Sequence, residues 1–320
     1  MAQATSATPQ HARTSAVALF AAFVCGALIA LQSRINGTLS QHSPRAVIAA
    51  LWSFGSGLAI LTVAVLLVPR LRSAVRDLPR AVRDGRLKWW QCLGGLVGGM
   101  LVAAQTWAVP VIGVAIFSVA VLGGQTLAAI GVDRAGLGSS GPHPVTPARV
   151  GFALLAVAGV VVSSLGHGVG SLAWLPVLVT FVAGAGIAVQ QAVNARVNRA
   201  VGQPLATTWQ NFLFGCVVLV GLALGSALTR PGAWGWPQGA PWWAWLGAPC
   251  GIAFIAITAW AVHELGVLLF GLGSVAGQLL TALGLDLADP AVRPDIGTPV
   301  VVGVVISLLA ALGAGVAARR

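Results

Sequence analysis

The chain has 320 residues, of which 57% are hydrophobic and 8% charged, with a formal net charge of +11. A soluble globular protein carries about 25% charged residues, so this composition excludes a water-solvated surface and leaves lipid as the main solvent. The mean hydropathy of +0.89 agrees, and the apolar runs lack the strict alternation of an outer-membrane barrel, so the fold class is an all-α membrane protein.

In chain order, residues 1–15 are polar and predict a disordered tail. Ten apolar runs follow, at about 16–36, 46–68, 89–109, 111–132, 148–166, 171–193, 205–228, 242–262, 265–285 and 298–318. Each is long enough to cross a bilayer as a helix, and the first reads as an uncleaved signal anchor. Between the second and third lies "RLRSAVRDLPRAVRDGRLK", in which Leu71, Val75, Leu78 and Val82 share one helical face. This segment is expected to lie as an amphipathic turn against anionic headgroups, broken at Pro79. Cys25, Cys92, Cys216 and Cys250 all fall in apolar runs without metal-ligand spacing and read as free, buried thiols.

Lys and Arg residues set the orientation. With the N-terminus in the cytoplasm, 14 of the 18 cations fall in cytoplasmic segments and four outside: Arg34, Arg45, Arg230 and Arg293. The positive-inside rule therefore places both termini in the cytoplasm. The same rule explains the net charge, so no nucleic-acid partner is expected.

The chain repeats itself. "WWQCLGGLVGG" at Trp89 returns as "WWAWLGAPCGI" at Trp242, and at that offset of 153, 18 of the 45 positions from 89 to 133 are identical. The matches include Trp107 with Trp260, Gly113 with Gly266, Gln125 with Gln278 and Asp133 with Asp286. Nearer the start of each half the offset is 158, pairing Gln32 with Gln190 and Asn36 with Asn194, and then 160, pairing Phe54-Gly55 with Phe214-Gly215. Two five-span repeats are thus expected, 16–168 and 169–320. Because five is odd, the second repeat enters the membrane in the opposite sense, an arrangement found in secondary transporters.

These residues carry a resemblance. The Q-x-x-x-N pair in the first helix of each half, the Phe-Gly in the second, and the W…G…G-Q…D pattern over the third and fourth resemble the YdcZ-like branch of the drug/metabolite transporter superfamily, in a fused tandem form. The resemblance spans nearly the whole chain. It implies an inverted-repeat bundle in the bacterial inner membrane that exports or exchanges small molecules. Small multidrug-resistance relatives in that superfamily carry a membrane-embedded Glu in the first helix. Here the apolar part of that span has no acid and Gln32 is the nearest polar residue, a departure from the proton-antiport pattern of those relatives.

The candidate substrate pathway follows from polar and aromatic groups within spans. Gln32/Asn36 and Gln190/Asn194 are spaced i, i+4 and share a helix face. They line a path, or serve as interhelical hydrogen-bond glue, or reach the headgroups at span ends. Gln125 and Gln278 lie deeper and have the same two readings. Trp107 and Trp260 are interfacial anchors or an aromatic wall. Trp209, Gln210 and Asn211 in the seventh span give the second half extra polar contacts, which Trp52 could complement. Asp133 and Asp286 are expected to cap or pair locally. Glu264 is a candidate for proton coupling, or a cytoplasmic turn residue. No catalytic group, metal ligand set or cofactor motif is found, so an enzyme is not expected. The expected partners are a small-molecule substrate, membrane lipids, and a proton or other coupling ion. The alternative is a membrane scaffold, in which the repeated amides are dry and packed. A flippase for lipid-linked metabolites is a variant with a lateral groove.

Overall fold

The computed structural model describes residues 9–138, 141, 145–165, 174–229 and 234–317. Residues 1–8 of the expected tail, and Arg230, Arg319 and Arg320 of the charge count, lie outside that range. Every regular element among the described residues is helical: α1 (Pro9–Gln41), α2 (Ala46–Leu67), α3 (Pro69–Arg83), α4 (Gly94–Arg134), α5 (Pro147–Ser164), α6 (Trp174–Val201), α7 (Pro204–Thr229), α8 (Gly247–Ala288) and α9 (Thr298–Ala317). Helix α1 takes in residues 9–15, which the sequence assigned to the polar tail. All but α3 are long and apolar enough to cross a membrane, and the protein is a multi-pass membrane protein.

Expected spans three and four emerge as one helix, α4, and spans eight and nine as another, α8. Straight, the 41 residues of α4 would extend about 62 Å at about 1.5 Å per residue, twice a hydrocarbon core of about 30 Å. The helix is broken once, at Gly113, where φ is 74° and ψ 172°; α8 is broken at Gly266, with φ 74° and ψ 163°. Positive φ is open to glycine without steric penalty, so these two residues divide each long helix into two arms of membrane length. The two long helices start alike: Trp89–Leu93 and Trp242–Trp245 each form a short 3₁₀ turn just before the helix.

Small residues place the helices. Helix α1 lies on the second arm of α8, where Gly26 abuts the Ser274 carbonyl and Gly277 abuts the Phe23 carbonyl. Helix α6 lies on the second arm of α4 in the same manner, Gly184 against Val121 and Gly124 against Phe181. Helix α2 crosses α7 with the Phe54 ring on Gly215 and the Phe212 ring on Gly57, the two rings 4.9 Å apart. Helix α5 meets α9 through Gly159 and Gly303. Lipid gives no hydrophobic drive for helices to associate, so this close backbone approach supplies the dispersion contact that holds the bundle. The core lies around the α4 break, where Ile112, Val114, Ile116, Phe117 and Val119 pack against Val160, Leu279, Val300 and Val304.

Helix α3 is amphipathic as expected. Leu71, Ala74, Leu78 and Ala81 are buried, while Arg76, Arg80 and Arg83 are exposed. The expected break at Pro79 is absent. Pro79 sits on the exposed side, where the carbonyl that loses its donor can turn to solvent, and the anchored residues Leu78 and Ala81 on either side keep the helix continuous. Arg86 fixes the end of this segment, reaching the Asp77 carboxylate at 3.0 and 3.1 Å and the Ala200 carbonyl at 2.9 Å.

Gly277→Leu should drive α1 and α8 apart and lower stability by about 1–3 kcal/mol. Gly221→Ala, at an exposed helix-interior site with open space around it, should not destabilise and should gain up to about 1 kcal/mol. Thermal unfolding of the two variants in detergent micelles checks both.

Candidate functional site

The α4 break creates a chemical problem. A helix that restarts at Val114 leaves its first backbone N–H groups without intrahelical acceptors, and Val114 and Ala115 are fully buried, so no water supplies one. Asp286, at the end of α8 and fully buried, solves it: its carboxylate accepts from Val114 N–H at 3.0 Å and Ala115 N–H at 2.7 Å. The negative charge faces the positive end of the second α4 arm, which stabilises it further. Close by, Arg34 pairs with Asp289 just beyond α8. The Ala291 N–H, and with it Arg34, holds the Asp289 carboxyl below the usual carboxylate range.

The corresponding break in α8 differs. A side chain added at Gly113 would lie 2.7 Å from the Asp286 carboxylate, whereas one at Gly266 would meet nothing within 4 Å. Asp133, the residue matching Asp286, pairs instead with Arg149, and both side chains are partly exposed. Of the two outcomes expected for these acids, one caps and the other pairs.

The repeated amides lie against glycines of the long helices. Asn36 and Gln32 of α1 face Gly247 and Gly251 of α8, with Gln32 Nε2 3.1 Å from the position a Gly251 side chain would take. Asn194 and Gln190 of α6 face Gly94 and Gly98 of α4, each with a polar atom 3.0 Å from such a position. At the Asp286 end the polar groups form a buried chain: Asn36 Nδ2 donates to Gln105 Oε1 at 2.7 Å, Gln105 Nε2 to Ser33 Oγ at 2.7 Å, and Ser33 Oγ to the Ile29 carbonyl at 2.9 Å. The sequence reading missed Gln105 and Ser33. Gln105 carried the same signal as Gln125, an amide within an apolar run, but its counterpart at the offset of 153 is Thr258, so it did not repeat.

At the α3 end the amides are less enclosed. Gln190 and Asn194 are half-buried, and Gln125 Nε2 donates to Gln191 Oε1 at 3.1 Å near the surface. Asn211 joins Asn194 beside Gly94. Gln210 is buried and donates to the Cys92 carbonyl. Gln278 is buried in the second arm of α8.

The remaining candidates lie apart. Trp52 stacks edge-on against Trp236 and Trp245, at 4.8 and 4.9 Å, while Trp209 donates to Thr62 Oγ1 at 3.0 Å further along α2, so Trp52 does not complement the Gln210 group. Trp107 and Trp260 are 40% and 43% exposed, which suits lipid-facing anchors. Glu264 is exposed two residues before the α8 break.

The sequence model of a family described as "Putative inner membrane exporter, YdcZ" matches the chain in two segments, residues 17–162 and 175–313. A search of curated proteins returns no match. A solved structure described as "Crystal structure of protein" is similar over 96% of this chain and 98% of its own, at 22% identity and a TM-score of 0.49.

Asp286→Ala leaves two buried N–H groups without acceptors and should destabilise by about 1–3 kcal/mol, with faster hydrogen exchange at the Val114 and Ala115 amides. Asp133→Ala breaks a partly exposed pair and should change stability by no more than about 1 kcal/mol. Exchange mass spectrometry on the reconstituted protein distinguishes the two.

Proposed function

Because the chain belongs to the YdcZ family of inner membrane exporters, we propose that it is a secondary transporter that exports small molecules across the bacterial inner membrane by alternating access. On this reading it is built from two inverted five-helix repeats, 16–168 and 169–320, with both termini in the cytoplasm. The Asp133 and α3 end is then cytoplasmic and the Asp286 end external.

The observation that carries the reading is the pair of amide clusters seated on matching glycines at opposite ends of the bundle. Asn36 and Gln32 of the first half reach Gly247 and Gly251 of the second; Asn194 and Gln190 of the second reach Gly94 and Gly98 of the first. Each cluster joins one half to the other. The glycine surface beneath lets a helix shift without pulling a side chain out of a socket. Repeats related by an axis in the membrane plane make inward- and outward-open states near equivalents, with substrate held between them.

The two ends are in different conditions, which supports a protein caught in one of two states. The external end is closed: Asp286 caps α4, and Asn36, Ser33 and Gln105 are buried together. The cytoplasmic end is looser: Asp133 is paired with Arg149, and Gln125, Gln190 and Asn194 are partly accessible. This is an inward-facing arrangement. In the outward-facing state Asp286 lets go of α4, and Asp133 takes up the matching position at the start of the second α8 arm. The substrate crosses between the amide clusters. Its coupling ion, if it uses one, does not require a first-helix acid. Glu264 is exposed beside the break that would close, where a proton could reach it from the cytoplasm.

Two-sided labelling tests this. With the four native cysteines replaced, single cysteines at positions 32, 36, 125, 190, 194 and 278 are probed with a membrane-impermeant thiol reagent in intact cells and inside-out vesicles. We expect positions 125 and 278 to label from both sides, and Asp286→Ala to raise external labelling at 278 several-fold. Folded protein that labels at neither position from either side would mean the amides are dry packing, and the scaffold reading would replace transport.

A further inference from the structure

Helix α3 packs its apolar face toward α6 and α7 without filling the space beneath it. A crevice of about 630 Å³ remains between α3, the Trp89–Leu93 turn and the start of α7. That volume lies within the roughly 300–1,000 Å³ range of small-molecule sites. Its walls are apolar, with Leu78 and Val82 from α3, Trp89 from the turn, and Leu213 and Phe214 from α7. Two polar residues interrupt them. Arg83 stands at the crevice and is exposed. Gln210 is only 4% exposed; its Nε2 is committed to the Cys92 carbonyl, while its buried Oε1 has no donor.

We propose that this crevice is a binding site for one anionic glycerophospholipid of the leaflet beside α3. The acyl chain occupies the apolar space between α3 and α7, the phosphate meets Arg83, and a hydroxyl of a glycerol headgroup donates to Gln210 Oε1. Three features favour this occupant. The apolar walls lie beneath an amphipathic helix, where acyl chains meet headgroups. The charge is complementary, since Arg70, Arg76 and Arg80 flank Arg83 on the exposed side of α3 and draw anionic lipid to it. The unpartnered amide oxygen wants a donor, which a glycerol headgroup carries and a choline headgroup lacks. The site is independent of whether the protein transports anything.

The test uses the full chain in phosphatidylcholine vesicles doped with phosphatidylglycerol or phosphatidylcholine brominated on the acyl chain, which quenches nearby tryptophan. Trp89 and Trp209 border the crevice, and Trp89→Phe and Trp209→Phe isolate their share of the signal. We expect brominated phosphatidylglycerol to quench that share at about fivefold lower mole fraction than brominated phosphatidylcholine, the ratio one cation contributes. Arg83→Gln should lower the preference several-fold, leaving only what the Gln210 contact and the neighbouring arginines contribute. Val82→Phe, which fills the crevice, should remove the quenching of Trp209 by either lipid. Equal quenching by the two lipids would overturn the site. So would a preference undiminished by both substitutions, which would indicate lipid ringing the protein without a seat. Arg83 is exposed, so its variant gives a result even if Val82→Phe does not fold.

Discussion

Everything in this bundle depends on satisfying backbone groups where there is no water. A single transmembrane helix does this automatically, because each N–H finds its carbonyl within the segment. The protein nevertheless interrupts α4 in the most crowded part of its core, at Gly113. The interruption is tolerable because Asp286 reaches across from α8 and takes both orphaned donors. A buried carboxylate would otherwise be costly. Here two N–H groups and a helix N-terminus recover part of the lost hydration, with Arg34 nearby on Asp289. The bond is short, strong and made between the two sequence-related parts of the chain, so the position of α8 relative to α4 is tied to one carboxylate.

That dependence gives the glycine-rich contacts their meaning. Glycines at 26, 124, 184 and 277 bring backbones into direct touch, which maximises dispersion and keeps side chains out of those contact points. Such interfaces hold helices together while resisting small slides weakly. Specific polar groups must then select the register: Asp286 on α4, Asn36 on Gln105, and Arg149 on Asp133. On the proposed reading, changing which of these are made is what changes the state.

The sequence was informative where physics acts locally or repeats. Apolar length marked every spanning helix, because crossing lipid demands it. The 153-residue offset picked out Gly113 and Gly266, Gln125 and Gln278, and Asp133 and Asp286; the two glycines are the breaks, and Asp286 caps the helix that restarts at one of them. What could not be read was how matched residues diverge. Nothing in the letters separates Asp133 from Asp286, since their different partners come from how the helices are arranged and not from what they are. The single turns at the breaks were also hidden. Expecting separate spans at 89–109 and 111–132 overlooked that one glycine with positive φ joins two arms without a loop. Gln105 escaped for the opposite reason: it acts without a counterpart, and a search guided by repetition passes over it.

The choice of amides along the bundle follows from the same constraint. A carboxylate needs dedicated donors to remain in lipid, as Asp286 has, and those donors fix it in place. An amide stays neutral at any pH and can exchange partners at modest cost. Asn36 donates to Gln105 yet leaves its Oδ1 unpaired, and Asn211 and Gln210 likewise each keep a carbonyl oxygen without a donor. All three free positions are acceptors. A molecule that passes these groups, or lodges beside them, gains most by bringing N–H or O–H groups of its own, since each bond it makes removes an existing penalty and breaks none. On the proposed reading such acceptors suit a donor-bearing substrate, while the one fully buried carboxylate among the described residues holds the protein's own helices in place.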